Sequence, residues 1–215
     1  MTDIFKFWRQ IEPAATVHPA DVPTFDRLKG QHEFDLKCLP LNFSGPLRTA
    51  PVVLLYLSPG FSPADRVMAK TPKGQQIYAQ QRTGRARLPN ASSLSGHQWR
   101  SRRLAFVGNW EEHLDKIAVM NIGAYHSKNF SDHDTLASLP SSRVALDWAQ
   151  SVLFPEAEAG RRVVVCMRAA NYWGLRRGST YGKSLFAPAS NRAGYLPKDA
   201  MRSKIVKAVR SALNG

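Results

Sequence analysis

The side chains best suited to chemistry stand at the ends of short apolar runs. They are Ser58, Phe61, Asn121, Tyr125, Asn191 and Arg192. The amide of Asn121 carries a donor and an acceptor on one group, which suits the edge of a pyrimidine. Phe61 could stack on such a ring, with Tyr125 as a second base-binding aromatic. Asn191 and Arg192 could stabilise negative charge on a leaving group, because a cation aimed at developing charge favours that step.

Each candidate also has an ordinary structural role open to it. Phe61 could belong to the core, and Asn121 could cap the turn at the end of a strand. Ser58 has no local group that would activate it as a nucleophile or base, so it could instead cap a helix or contact a phosphate. Arg192 could bind phosphate rather than a leaving base. Asp65 is expected to pair with a neighbouring arginine.

Four apolar runs predict the strands that would position these residues: 52–57, 117–122, 163–167 and 184–187. They are continuous rather than alternating and rich in Val, Ile and Leu, which is typical of strands buried on both faces. Helical patterns separate them, and this alternation predicts a parallel sheet with helices on both faces. Ligands of such sheets bind beyond the carboxyl ends of the strands, where the candidate residues lie.

Periodic apolar residues predict a short N-terminal helix, a helix from Ser141 or Ser142 to about Leu153 with Pro155 beyond its end, and a last helix after Pro197. Residues 12–48 have no clear period and are expected to form an irregular arm. Residues 70–96 are polar and basic, which predicts a long functional or disordered loop. We therefore expect a helix and arm at 1–44 and an α/β domain at 45–215.

Length and composition exclude several classes of protein. A chain of 215 residues suits one domain, and 43% hydrophobic residues are enough for a core. No apolar run approaches the ~18 residues of a membrane span, and the first residues do not resemble a secretory signal. Two cysteines, Cys38 and Cys166, are too few for a disulfide scaffold or a four-cysteine zinc site. We expect a cytoplasmic monomer with reduced thiols and no membrane association.

Positive charge is segregated along the chain. Residues 66–103 hold nine basic side chains and no acidic one, and residues 161–215 hold twelve basic side chains and one acidic one, in a chain of net charge +14. Segregated charge of this kind attracts polyanions, so nucleic acid is the expected partner, DNA before RNA. Anionic lipid, an acidic protein or no specific partner are the alternatives. The candidate backbone contacts are Arg100, Arg102, Arg103, Arg176 and Arg177.

The motifs resemble those of the uracil-DNA glycosylase superfamily over residues 45–215. Ser58-Pro59-Gly60-Phe61 is similar to the family's first motif, and Asn121 is similar to the residue that contacts the edge of the flipped base. Ala187-Pro188-Ala189-Ser190 is similar to the loop after the family's fourth strand. The resemblance implies a three-layer α/β/α fold with a central four-stranded parallel sheet, recognition of a flipped base, and hydrolysis of its N-glycosidic bond.

Two departures from the family pattern bear on catalysis. Ser58 replaces the acid or amide that positions the attacking water, and Ala187 replaces the His that stabilises the departing base. Excision of uracil is therefore expected to be very weak or absent unless Asp65, His126, Asn191 or Arg192 substitutes. The alternatives are a DNA- or RNA-binding protein without excision activity and a small-molecule nucleoside or nucleotide hydrolase. The last would not need so much concentrated positive charge.

No metal or cofactor is expected. His126, Asp132, His133 and Asp134 fit no tetrahedral zinc spacing and are typical of a solvated loop. Cys166 lies inside an apolar run, which predicts a buried, inert thiol. The chain has neither a Gly-rich Lys loop for phosphate nor a dinucleotide fingerprint.

Overall fold

The computed structural model describes residues 2–90, 96–189 and 194–215. Its strands are β1 (Phe43–Ser44), β2 (Val52–Tyr56), β3 (Ile117–Asn121), β4 (Val163–Cys166), β5 (Ser179–Tyr181) and β6 (Leu185–Ala187). They form a six-stranded mixed sheet in the order β1-β3-β2-β4-β6-β5. The expectation of an α/β fold is therefore confirmed.

The sheet is larger than the expected four-stranded one. The four strands predicted from apolar runs lie next to one another and pair in parallel, with Leu54 of β2 opposite Val119 on one side and Val165 on the other. Two short strands, β1 and β5, extend the sheet and pair antiparallel. They have two and three residues, too few to show a period in the sequence.

The helices lie before β1, between β2 and β3, between β3 and β4, and after β6. They are α1 (Ile4–Trp8), α2 (Val22–Leu28), α3 (Pro63–Lys70), α4 (Pro72–Gln81), α5 (His97–Leu104), α6 (His133–Ser138), α7 (Pro140–Trp148), α8 (Phe154–Glu158) and α9 (Ala200–Asn214). Short 3₁₀ turns lie at Pro19–Asp21, Trp110–His113 and Ala170–Trp173. In the described part of the chain, no helix has the length and apolar character needed to cross a membrane.

Alternate residues of the four parallel strands belong to different hydrophobic clusters, which places a core on each face of the sheet. Val53 and Leu55 share a cluster with residues of α1, α7 and α8. Val52 and Leu54 share a second cluster with residues of α5 and α9. Since side chains alternate across a strand, helices cover both faces of the sheet.

The last helix follows the sequence prediction closely. Asp199 caps α9 by accepting hydrogen bonds from the backbone N–H groups of Met201 and Arg202, both at 3.1 Å. Its buried residues, Ile205, Val209 and Leu213, recur at a spacing of four and form one apolar stripe. Lys204, Lys207 and Arg210 are exposed on the rest of the helix, whereas Arg202 is half-buried and its Nη1 donates to the carbonyl of Leu196 at 3.0 Å.

The helix predicted to end before Pro155 is longer than expected. It begins at Pro140 and continues through a π-helical segment, Ala149–Leu153, into α8. The backbone N–H of Phe154 bonds to the carbonyl of Ala149, one residue further back than in an α-helix. This wider turn accommodates the Pro155 ring, which would otherwise clash with the preceding turn.

In the described part of the stretch expected to be a long loop, residues 70–90, helix α4 occupies Pro72–Gln81. Thr71 Oγ1 caps α4 by accepting from the N–H of Gly74 at 3.1 Å. Gly74 permits the tight corner between α3 and α4, since a Cβ there would collide with the carbonyl oxygen of Met68. The arm at 12–48 also contains regular structure, namely α2 and β1.

Candidate functional site

A cavity of about 480 Å³ lies beyond the carboxyl ends of β2 and β3, between the loop after β2 and helices α3, α4 and α5. This volume is within the range of small-molecule sites. The walls are largely apolar and aromatic, from Leu41, Phe61, Met68, Ile77, Tyr78, Leu88 and Trp99. The polar side chains on which the site's chemistry depends are Ser58, Asp65, Arg100, Asn121 and His126.

The amide of Asn121 has a defined orientation. Asn121 is 5% exposed, and its Nδ2 donates to the backbone carbonyl of Leu41 at 3.0 Å. A carbonyl only accepts, so this contact determines which end of the amide is nitrogen. The oxygen Oδ1 and the second Nδ2 hydrogen have no partner among the described residues. Asn121 therefore retains one acceptor and one donor for a ligand in the cavity.

Asp65 and His126 form a buried carboxylate–imidazole pair on the cavity wall. The nearest oxygen of Asp65, Oδ2, is 3.5 Å from His126 Nδ1, and the two side chains are 6% and 3% exposed. Asp65 Oδ2 also accepts the backbone N–H of Ser62 at 2.7 Å and completes the cap of α3. The expected pairing of Asp65 with a neighbouring arginine is wrong for Arg66, whose guanidinium pairs with Asp35 instead at 2.6 Å.

The contacts of His126 determine its tautomer. Nδ1 is 2.7 Å from the carbonyl oxygen of Gly60. That oxygen can only accept, so Nδ1 carries the hydrogen and Nε2 of the neutral ring is a bare acceptor. Nε2 is buried and has no hydrogen-bond partner within the described residues. His126 is therefore not part of a solvated loop, as the sequence suggested, and its free nitrogen could accept a proton.

Arg100 lies in the cavity wall rather than on the open surface. It is 7% exposed, and its Nε and Nη2 have no hydrogen-bond partner in the ranges that the structure describes. Burial lowers the pKa of Arg100 to about 10, which leaves it charged at neutral pH. The expectation that Arg100 follows the nucleic-acid backbone on the surface is therefore wrong, because its head group is not accessible there.

The other candidate arginines differ in exposure. Arg102 is exposed, and Arg103 is half-buried with its Cζ 3.9 Å from the ring centroid of Tyr195. Arg176 and Arg177 are exposed in the segment before β5 and do not line the cavity. Surface arginines of this kind could contact phosphates.

Ser58 and Phe61 both line the cavity, as their position after β2 predicts. Phe61 is half-buried, with the Cζ of Arg66 5.1 Å from its ring centroid. Ser58 does not cap the following helix, because Ser62 does so through a bond from the N–H of Ala64 at 3.2 Å. The helix-cap role considered for Ser58 is thus taken by Ser62, and Phe61 is not among the fully buried core residues.

Tyr125 lies in the core and not in the cavity. Its hydroxyl donates to Asp21 Oδ2 at 2.6 Å and accepts from the N–H of His18 at 3.1 Å, and the side chain is 1% exposed. Burial raises its pKa. The base-binding role predicted for Tyr125 is therefore wrong. Asn191, Arg192 and the motif residue Ser190 lie outside the described residues.

The remaining polar residues have structural roles. Asp132 caps α6 by accepting the N–H of Thr135 at 3.2 Å, and His133 stacks on Tyr172 with ring centroids 4.5 Å apart. The described ranges contain no group of three or more His, Cys, Asp or Glu that could hold a metal ion. Burial raises the pKa of the Cys166 thiol to about 12, so it is not a nucleophile at neutral pH.

No protein-family model, curated protein or solved structure matches the chain. Function must therefore be argued from the cavity and from the charge around it.

Proposed function

We propose that the protein binds nucleic acid, accepts one extruded base in the cavity and hydrolyses its N-glycosidic bond. The observation that carries the proposal is one cavity that combines the oriented amide of Asn121 with the Asp65–His126 pair. Enzymes of this kind hold the flipped base by stacking and by hydrogen bonds to its edge. We also infer that the chain has the three-layer α/β/α fold of the uracil-DNA glycosylases. The four central strands of its sheet are parallel, and helices cover both faces.

The cavity offers the contacts that a base requires. The donor and acceptor that Asn121 retains could pair with the hydrogen-bonding edge of a base. Phe61 and Trp99 supply aromatic wall on which a flat ring could pack. The apolar walls would also replace the stacking that the base loses on leaving a duplex.

His126 and Asp65 supply the basic group that Ser58 does not. In the proposed step, a water oxygen bonds to C1′ of the sugar while the bond from C1′ to the base nitrogen breaks. The water proton passes to His126 Nε2, and the electron pair of the broken bond leaves with the base. Asp65 stabilises the imidazolium that forms, and Ser58 could hold the water by one hydrogen bond. Proton acceptors of this kind contribute about 10²–10⁴ in rate.

The distribution of charge favours a polymer over a small substrate. Six basic residues of the 66–103 region are exposed: Arg66, Lys70, Lys73, Arg85, Arg87 and Arg102. They lie on or beside α3, α4 and α5, the helices that bound the cavity. A free nucleoside has no phosphate for them to contact, whereas a strand could extend from the cavity across them.

The test is single-turnover release of base from labelled oligonucleotides with protein in excess. Uracil, hypoxanthine and methylated bases are placed in single- and double-stranded oligonucleotides. We expect release of the base from at least one of these oligonucleotides. His126→Asn should slow that release about 10²–10⁴-fold, because the asparagine amide can still donate to Gly60 but has no acceptor at the position of Nε2. Asp65→Asn should slow release as well while still accepting from Ser62. Tyr125→Phe, in the core, should leave the rate unchanged.

Two results would contradict the proposal. Tight binding of oligonucleotides with no release of any base would indicate a binding protein without excision activity. Release from free nucleosides but not from oligonucleotides would indicate a small-molecule hydrolase.

A further inference from the structure

The cavity contains a positive charge that no described residue balances by a hydrogen bond. Among the described residues that line it, Arg100 is the one lysine or arginine. Its Nε and Nη2 are buried without a partner, although burying unpaired donors of a charged group is costly. Asp65 attracts Arg100 electrostatically, but no hydrogen bond to Arg100 satisfies these two donors. A cost of this kind is expected where a ligand supplies the missing acceptor.

The surroundings of Arg100 favour a heterocyclic monoanion over a phosphate. A phosphate at neutral pH carries up to two charges and is usually held by several cations or backbone N–H groups. Here Arg100 is the one cation among the described lining residues and already interacts electrostatically with Asp65, so it cannot neutralise a ligand with two negative charges. The aromatic and aliphatic walls suit a flat ring whose single charge is delocalised.

We propose that Arg100 binds the base in its anionic form, as it exists at the moment the glycosidic bond breaks. This inference rests on the proposed function and identifies the group that stabilises the departing base. The electron pair of the broken bond places negative charge on the ring nitrogen and exocyclic oxygens of the base. Nε–H and Nη2–H of Arg100 donate to those atoms until the base takes up a proton.

Binding of free bases tests this without any excision step. The probes are 5-nitrouracil, at a pH above its ionisation where it is an anion, and the neutral bases uracil and thymine, each titrated by calorimetry. We expect 5-nitrouracil to bind the unmodified protein about ten- to a hundredfold more tightly than either neutral base, which is the effect of a charge-assisted hydrogen bond. Arg100→Met should abolish this difference while leaving uracil and thymine affinities nearly unchanged.

Arg82 provides a matched control. It is 6% exposed, its Nε and Nη2 also lack partners, and it does not line the cavity. Arg82→Met removes the same kind of buried guanidinium, so it should keep the preference for 5-nitrouracil. Arg100→Met should be at least as stable to urea as the unmodified protein, because it removes a buried guanidinium whose Nε and Nη2 lack partners, whereas Arg82→Met also loses the bond from Nη1 to the carbonyl of Glu12 at 3.3 Å.

The outcomes separate this inference from the proposed function. If 5-nitrouracil binds no better than the neutral bases, or if Arg82→Met and Arg100→Met act alike, Arg100 is not a site for a base anion. Inorganic phosphate that displaces 5-nitrouracil and requires Arg100 would also overturn the assignment. Selective 5-nitrouracil binding without base release from any oligonucleotide would support Arg100 as an anion site while contradicting the hydrolysis.

Discussion

Replacing Asn121 by aspartate is the substitution that most directly tests the geometry of the cavity. Asp is nearly the same size as Asn but has no N–H to donate. The carbonyl of Leu41, which receives the Asn121 Nδ2 hydrogen at 3.0 Å, would face a carboxylate oxygen instead. A buried carbonyl left without its donor costs about 1–3 kcal/mol.

Burial of the new carboxylate adds a pH-dependent cost. Asn121 is 5% exposed, so an aspartate there would have its pKa raised above the value near 3.9 of the unfolded chain. The folded state then favours the neutral carboxyl, whose O–H can still donate to Leu41. Stability is therefore unaffected by this ionisation below about pH 3.9. As pH rises from there toward the raised pKa, the free energy of unfolding falls by about 1.4 kcal/mol for each pH unit.

The measurement is urea unfolding of Asn121→Asp and the unmodified protein at pH 4 and pH 7. We expect a deficit of about 2 kcal/mol or more at pH 7, equivalent to about 4–8 °C in Tm, and a smaller one at pH 4. Asn129→Asp makes the same chemical change at an exposed position and should show a deficit near zero. Equal deficits for the two variants, or no growth of the Asn121→Asp deficit with pH, would show that Leu41 does not hold this amide.

Two further predictions concern the surface and the core. Alanine at the exposed Lys70, Lys73 and Arg102 should reduce the slope of log K for nucleic-acid binding against log salt concentration, by about 0.7–0.9 for each phosphate that the variant no longer binds. Alanine at the buried Arg100 should leave this slope unchanged. An unchanged slope in the triple variant would place nucleic acid elsewhere. Burial lowers the pKa of His18. Below about pH 6.5 the ring therefore takes up a proton in the unfolded chain but not in the folded one, and the free energy of unfolding should fall as the pH drops. His18→Gln should lack this component in urea unfolding followed against pH, and a pH profile identical to that of the unmodified protein would refute it.

The central strands and the last helix were predictable because their signals are local. Continuous Val, Ile and Leu runs can be satisfied only where both faces are covered, and β2, β3 and β4 are buried throughout. Asp199 as the helix cap, followed by apolar residues at helical spacing, is sufficient to predict α9. The rule that ligands lie beyond the carboxyl ends of parallel strands placed Ser58, Phe61, Asn121 and Asn191 at one edge of the sheet. The first three line one cavity, and Asn191 lies outside the described residues.

Two helical features could not be predicted from periodicity. Helix α4 has little apolar pattern, because its buried residues include the polar Gln81 beside Tyr78. The amide oxygen of Gln81 accepts the N–H of Gly45 at 2.6 Å. Its partner is 36 residues away in sequence, so no local window contains the interaction. The continuation of the helix past Pro155 depends on a π-helical turn, which has no sequence signature of its own.

The sequence determined the type and order of the candidate groups, but only the tertiary structure decided which of them are buried and which are hydrogen-bonded. Arg100 belongs to a basic stretch that suggested an exposed, phosphate-binding surface, yet the packing of α5 buries its guanidinium in the cavity wall. His126 lies 66 residues from Gly60, whose carbonyl determines which of its nitrogens is free. Burial and pairing of ionisable groups depend on contacts between distant segments, and residue type and spacing carry no record of those contacts.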